Sequence, residues 1–176
     1  MIYLRGSNVV ADLNRSIDNG RWLITTEQCY RNYDGLTINI TSPQIDHVIL
    51  SGAGNIVAID TFSTDRTDIL LPGSGNIIWR THTNKLTTII SGSGTVNVQG
   101  VANEMDLIIS GSGDVQARDI PTEVAEVLIS GSGSADVTVT DVLDAVISGS
   151  GSITYGGNPS TVDQRVTGSG SIRPRE

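Results

Sequence analysis

The sequence contains little cysteine and few basic residues, and each shortage excludes a class of protein. A single cysteine, Cys29, stands among the 176 residues, so an intrachain disulfide and a cysteine-based zinc site are both excluded. Lys and Arg number 11 against 19 Asp and Glu, which gives a formal net charge of −8. Nucleic-acid binding needs clustered basic residues that neutralise phosphates, so we expect no nucleic-acid partner.

Long hydrophobic runs are also missing. No stretch approaches the roughly 20 consecutive apolar residues of a membrane-spanning helix, so we expect no membrane insertion. Residues 1–5 are not a basic segment followed by an apolar core, so the sequence shows no export signal. Two alternatives follow: the protein is cytoplasmic, or the sequence begins after an export signal that has been removed.

Glycine, in contrast, is abundant, and most of it belongs to one repeated tetrapeptide. The motif is Ser-Gly-Ser-Gly or a close variant, and it recurs seven times with first residues 18 to 21 positions apart. A period this regular, alternating with apolar runs, predicts a solenoid in which each repeat forms one coil. We expect glycine to supply positive φ angles and a close approach of successive backbones at the corners, and the serine between the glycines to form a hydroxyl ladder. The predicted corner glycines are Gly52, Gly54, Gly73, Gly75, Gly92, Gly94, Gly111, Gly113, Gly131, Gly133, Gly149, Gly151, Gly168 and Gly170.

The residues that flank each motif alternate between apolar and polar. An aliphatic residue stands immediately before the motif in every repeat, as at Ile90 and Ile109, and the fourth residue before it is polar or charged. Alternation with a period of two predicts strands on both sides of the glycine corner. The predicted fold class is therefore all-β, a right-handed parallel β-helix (β-solenoid) of about seven coils with roughly 19 residues each.

Residues 1–46 do not follow the repeat. Alternating runs predict strands at 8–13, 22–27 and 36–40, with turns at Asp18-Asn19-Gly20 and Asp34-Gly35. A solenoid needs its terminal coil shielded from edge-to-edge pairing. We therefore interpret residues 1–46 as an N-terminal β cap or irregular first coils, and residues 47–176 as the Gly-Ser-Gly repeat β-helix.

The second residue before each motif departs from the pattern of a polar outer surface. It lies between two inward positions, so its side chain should face solvent, yet it is aliphatic in six repeats. Stacked coils would place these side chains in one apolar strip, which soluble monomers seldom expose. We expect the N-terminal segment, a second subunit or a ligand to cover it, unless a bulge turns the strand inward. The candidate interface strip consists of Ile49, Leu70, Ile89, Ile108, Leu128 and Val146.

Candidates for catalysis and metal binding are few. Polysaccharide chemistry needs paired carboxylates, or a carboxylate-bound cation beside a basic residue, on one face. The nearest candidate is an acidic column without a basic column beside it, which favours a solvated face over a calcium or substrate site. His47 and His82 occupy different parts of their coils, while Trp79 and Tyr155 fall in an inward column. We therefore expect no catalytic residue, metal or cofactor. The acidic column consists of Asp68, Asp106, Glu126, Asp144 and Asp163.

The repeated Ile-Ser-Gly-Ser-Gly pattern, the segment Tyr155-Gly156-Gly157-Asn158-Pro159 and the final Gly168-Ser169-Gly170-Ser171-Ile172 carry a family resemblance. They resemble the bacterial family of the putative auto-transporter adhesin, head GIN domain, over residues 36–173 and more loosely before them. The resemblance implies a right-handed β-helix and, usually, an exported protein. It implies no catalytic residues.

On this basis the predicted function is that of a non-enzymatic protein of the cell envelope or surface, an adhesin that binds a glycan or a surface protein. The predicted location is extracytoplasmic, in the periplasm or at the cell surface. One alternative is a structural scaffold that self-assembles as a homo-oligomer, and another is a polysaccharide-active enzyme.

Overall fold

The computed structural model describes residues 2–5, 17–25 and 37–176, and every regular element within them is a β-strand. Two compact units divide the chain, residues 1–43 and residues 44–176. The second unit is a stack of parallel strands joined by glycine corners about 19 residues apart. The predicted all-β solenoid of about seven coils is confirmed.

The N-terminal unit holds two antiparallel pairs. Strand β1 (Ile2–Arg5) pairs with β4 (Thr37–Ile40), and β2 (Ile17–Asp18) pairs with β3 (Arg21–Trp22). Asn19 and Gly20, between β2 and β3, have φ angles of 48° and 77°. Two successive positive φ angles are typical of the type I′ hairpin turn, so the turn predicted at Asp18-Asn19-Gly20 is confirmed.

The other predictions for this unit have mixed outcomes. The strand predicted at 36–40 is present as β4, whereas the one predicted at 22–27 is wrong in its extent, because residues 23–25 form no strand. The predicted strand at 8–13 and turn at 34–35 lie outside the described residues. The sequence pattern did not reveal β1.

The solenoid consists of ten strands in one parallel sheet that winds from coil to coil. Each of the longest strands runs from one glycine corner to the next. It bends at a pair of consecutive outward residues, as at Asn84 and Lys85. The strands are β5 (His47–Ile49), β6 (Asn55–Val57), β7 (Phe62–Leu71), β8 (Asn76–Ile90), β9 (Thr95–Ile109), β10 (Asp114–Ile129), β11 (Ser134–Gly149), β12 (Ser152–Gly157), β13 (Thr161–Gly168) and β14 (Ser171–Pro174).

The core lies inside the coils and is built from stacked aliphatic columns. Ile77 pairs with Val96, and Ile90 pairs with Ile109, and all four side chains are fully buried. Trp79 is also buried and stacks on Phe62 with ring centroids 5.1 Å apart. The predicted inward positions are therefore confirmed in the central coils. Tyr155, nearer the C-terminal end, is half-buried against the same core.

The glycine corners are held by backbone contacts between successive coils. The N–H of Ser112 donates to the carbonyl of Gly92 at 3.1 Å, and the N–H of Asp114 donates to that of Gly94 at 3.0 Å. A Cβ atom built on Gly151 would lie 2.7 Å from the carbonyl oxygen of Gly133 and from a methyl group of Ile129. Close approach of backbones is thus the reason for glycine in the stacked corners.

Two details of the predicted corners are wrong. Among the corner glycines only Gly149 and Gly168, with φ angles of 150° and 124°, adopt the positive region, so positive φ is not the general requirement. The corner serines are exposed, and among the described residues no hydrogen bond joins their hydroxyl groups, so the backbone N–H groups join the coils at the corners instead.

Candidate functional site

Two outer faces of the solenoid flank the glycine corners. The face formed by the strand segments before the corners carries the candidate interface strip. Its six side chains are paired in register from coil to coil, and the same column continues to Arg165. Ile49 and Leu128 are 39% and 36% exposed, and the other four members are half-buried. No bulge turns the strip inward, and its cover stays a prediction.

The acidic column lies on the same face, two residues before the strip along each strand. Its first members are paired with basic residues, contrary to the expectation that no basic side chain lies beside them. Arg66 Nε lies 2.8 Å from Asp68 Oδ1, and Lys85 Nζ lies 2.7 Å from Asp106 Oδ2. These hydrogen bonds raise the pKa of both Arg66 and Lys85.

The remaining acidic residues of the column lack such basic partners. Glu126 pairs in register with Asp106 and with Asp144, and Asp144 pairs in turn with Asp163. Within the described ranges, no Lys, Arg or His lies within ion-pair distance of Glu126, Asp144 or Asp163. The C-terminal half of the column is therefore a row of three carboxylates without ion-pair partners among the described residues, on strands about 4.8 Å apart along the solenoid.

The face formed by the strand segments after the corners carries a polar groove with a volume of about 540 Å³. Its floor is a column of polar side chains in register, Asn97, Gln116, Asp136 and Thr154. The Asn97 Nδ2 group donates to Gln116 Oε1 at 3.0 Å, which leaves the amide N–H groups of Gln116 free for a ligand. The other polar lining residues are Asp114, Arg118, Asp119, Ser134 and Ser152.

Asp136 is the fixed centre of this groove. Arg118 Nη2 donates to its Oδ2 atom at 2.6 Å, and Arg175 Nη1 donates to its Oδ1 atom at 2.7 Å. Arg175 also donates to the hydroxyl oxygen of Thr138 at 2.7 Å. The hydrogen bond with Asp136 raises the pKa of Arg118. Two guanidinium groups thus neutralise and orient one carboxylate. The Asp136 side chain on the floor of the groove is therefore held in place.

The sequence contained a signal for the groove. The sixth residue after the first motif residue is apolar in the first two coils, Val57 and Ile78, and becomes polar from Asn97 onward. This change marks where the outer face becomes hydrophilic. The arginine clamp on Asp136 had no such signal, because Arg175 lies 39 residues from Asp136 in the sequence.

The chemistry of these faces is that of hydrogen bonding. Both oxygens of Asp136 are engaged by arginine, so this carboxylate is a poor general base. His47 lies 3.7 Å from Asp68, while His82 is exposed elsewhere on its coil. In the part of the chain that the structure describes, no group of three or more His, Cys, Asp or Glu side chains is arranged to hold a metal ion.

Known proteins resemble this chain in sequence and in fold. The sequence model of a family described as "Putative auto-transporter adhesin, head GIN domain" matches residues 3–159. A putative adhesin from Bacteroides fragilis is 27% identical with a TM-score of 0.90, over 96% of this chain and 78% of that one. A putative adhesin from Parabacteroides merdae is 26% identical with a TM-score of 0.79, over 99% and 83%. The predicted resemblance is confirmed.

A third solved structure shows the fold alone. A putative lipid binding protein from Parabacteroides distasonis is 24% identical with a TM-score of 0.81, over 99% of this chain and 85% of that one. None of the curated proteins matches the sequence. Across the described residues, no helix has the length and apolar character needed to cross a membrane.

Proposed function

We propose, because the chain belongs to the auto-transporter adhesin, head GIN domain family, that it is a non-enzymatic binding protein of the periplasm or cell surface. The structures from Bacteroides fragilis and Parabacteroides merdae, both above 25% identity, are also named as putative adhesins. Its partner is a glycan, and the polar groove is the binding site.

The observation that carries this proposal is the row of hydrogen-bonding groups along the groove. Two amides, a carboxylate and a hydroxyl follow one another on successive coils, from Asn97 and Gln116 through Asp136 to Thr154. A sugar ring presents hydroxyl groups that donate and accept at once, and these groups match both functions. A glycan can therefore lie along the solenoid axis and contact several coils.

The groove favours binding because its groups are held in place before a ligand arrives. Arg118 and Arg175 fix the Asp136 carboxylate, so little side-chain ordering is needed on association. Each hydrogen bond to a sugar replaces one to water and contributes about 1 kcal/mol. Weak binding per site is compatible with adhesion, since many copies at a surface raise the overall avidity.

The experiment is a glycan array followed by titration calorimetry on the hits. The double variant Gln116→Ala/Thr154→Ala should weaken binding by about tenfold, since two contacts of about 1 kcal/mol are removed, with some compensation by water. The matched control is Thr87→Ala/Glu126→Gln on the opposite face, and it should bind as the unaltered protein does.

Two results would contradict the proposal. Equal binding by the groove variant and the unaltered protein would show that the glycan binds elsewhere. Cleavage of a bound polysaccharide that is lost on substituting Asp106 or Asp144 would show an enzyme instead.

A further inference from the structure

The face that carries the strip has a pair of exposed valines beyond the acidic column, in register on two successive coils. Val124 and Val142 are 44% and 37% exposed, and each lies two residues before a carboxylate, Glu126 or Asp144. Leu128, 36% exposed, lies two residues after Glu126. Because alternate residues of a strand share a face, Glu126 and Asp144 each lie between two aliphatic side chains. Asp163, on the next coil, lies between Thr161 and Arg165.

This arrangement has a cost in the free protein. Like charges directly opposite each other on neighbouring strands repel, and the register stacks Glu126, Asp144 and Asp163 on three successive coils. Basic residues relieve the repulsion at Asp68 and Asp106 but not here. A ligand that supplied positive charge and apolar cover together would satisfy both features of the face.

We propose that this face binds a basic amphipathic helix of another polypeptide. Its aliphatic side chains cover the strip, and its Lys or Arg side chains pair with Glu126, Asp144 and Asp163. The surface is separate from the polar groove, so the proposal goes beyond the glycan-binding function and stands or falls independently of it.

The spacing of the coils favours a helix. Six strip residues on successive coils span about 24 Å, which is the length of about 16 helical residues. The helical pitch of about 5.4 Å is close to the coil spacing of about 4.8 Å, so one row of helical side chains stays in step with the strip. An extended strand repeats on one face at about 6.7 Å and falls out of step after two coils.

Charge decides against a second copy of this chain as the occupant. Each copy carries a net charge of −8 and brings the same row of carboxylates to the interface. A basic segment instead gains from steering by the acidic field of the whole protein.

The test uses the full chain and a synthetic peptide of about 18 residues that places Leu on one helical face and Lys on the rest. Titration calorimetry should show binding that weakens as salt rises, and a Leu/Glu peptide of the same pattern should not bind. The variant Glu126→Gln/Asp144→Asn/Asp163→Asn should weaken binding by about tenfold or more, because the charge pairs are lost.

Two further variants separate this site from general attraction. The control Asp60→Asn/Asp65→Asn/Glu176→Gln removes the same charge from exposed residues elsewhere and should change the dissociation constant by less than about twofold, because distant charges are screened. The variant Ile108→Thr/Leu128→Thr keeps every carboxylate and should also weaken binding, because apolar contact is lost.

Three outcomes would overturn the proposal. One is an equal loss of binding in the control variant, which would indicate unspecific attraction. Another is a failure of the peptide to bind the unaltered chain, as expected if the chain's own N-terminal unit covers the strip. The third is a dimer in light scattering that the Ile108→Thr/Leu128→Thr variant dissociates, which would make a second copy the occupant.

Discussion

Replacing one stacked corner glycine by alanine should destabilise the solenoid, whereas the same change in the first corner should not. Gly113 and Gly54 occupy the same position of the motif. A Cβ atom on Gly113 would lie 2.6 Å from the carbonyl oxygen of Gly94 and 2.6 Å from a methyl group of Ile90. A Cβ atom on Gly54 would meet no atom of the described residues within 4 Å. The main difference between the two sites is the preceding coil, which packs against Gly113 and has no described counterpart at Gly54.

The expected loss for Gly113→Ala follows from these contacts. Forcing a methyl group into a packed interior costs about 1–3 kcal/mol. The coils must also separate locally, which weakens the hydrogen bond from Asp114 N to Gly94 O by about 1 kcal/mol. The sum is about 3 kcal/mol of unfolding free energy, or about 6–12 °C in Tm for a chain of this size.

Urea unfolding followed by far-UV circular dichroism measures this difference. Gly54→Ala should leave the unfolding free energy unchanged or raise it by up to about 1 kcal/mol, because alanine restricts the unfolded chain. Ser112→Ala, in the same corner as Gly113, should change the unfolding free energy by less than about 0.5 kcal/mol, because the Ser112 side chain is exposed to solvent. If Gly113→Ala and Gly54→Ala agree within error, close backbone approach is not why glycine occupies the corners.

Three further substitutions test the core and the groove by the same unfolding measurement. Thr88→Val should stabilise the protein by about 1 kcal/mol, because the fully buried Thr88 hydroxyl has no hydrogen-bond partner among the described residues; a loss of stability would show that the hydroxyl does form a hydrogen bond. Trp79→Ala should cost about 3–5 kcal/mol, since the ring is 2% exposed and stacks on Phe62, and a cost below about 1 kcal/mol would argue against that packing. Arg175→Ala should cost about 1–2 kcal/mol, because Asp136 and Thr138 both lose a donor, and Arg175→Lys should recover only part of it.

The repeat made the fold and the polar column of the groove predictable, while the arginine clamp on Asp136 depends on contacts that no local pattern encodes. A motif at a fixed period aligns the coils by itself, so burial at Ile77, Val96 and Ile90 follows from counting residues to the nearest glycine. The position of Arg118 could not be counted in this way, because a register shift between Ala117 and Pro121 displaces it along its coil.

Stacking in register has opposite consequences for the aliphatic strip and for the acidic column beside it. An aliphatic column partly buries itself, since each side chain packs on those of the neighbouring coils, and this is why Leu70, Ile89 and Ile108 are only half exposed. A column of like charges repels itself instead. The strip therefore contributes to the stability of the fold, whereas the carboxylates of Glu126 and Asp144 do not, and a role other than folding is needed to explain them.

A change that neutralises the carboxylates should consequently act in opposite directions on folding and on binding. In Glu126→Gln/Asp144→Asn/Asp163→Asn the repulsion along three successive coils disappears, so the unfolding free energy of the unliganded chain should rise by about 1 kcal/mol. The gain should be largest at low salt and shrink as ionic strength screens the charges. Urea unfolding at two salt concentrations measures both the gain in unfolding free energy and its dependence on salt. A loss of stability would mean that the carboxylates serve the fold, and their neutralisation could then weaken peptide binding without any contact to the peptide.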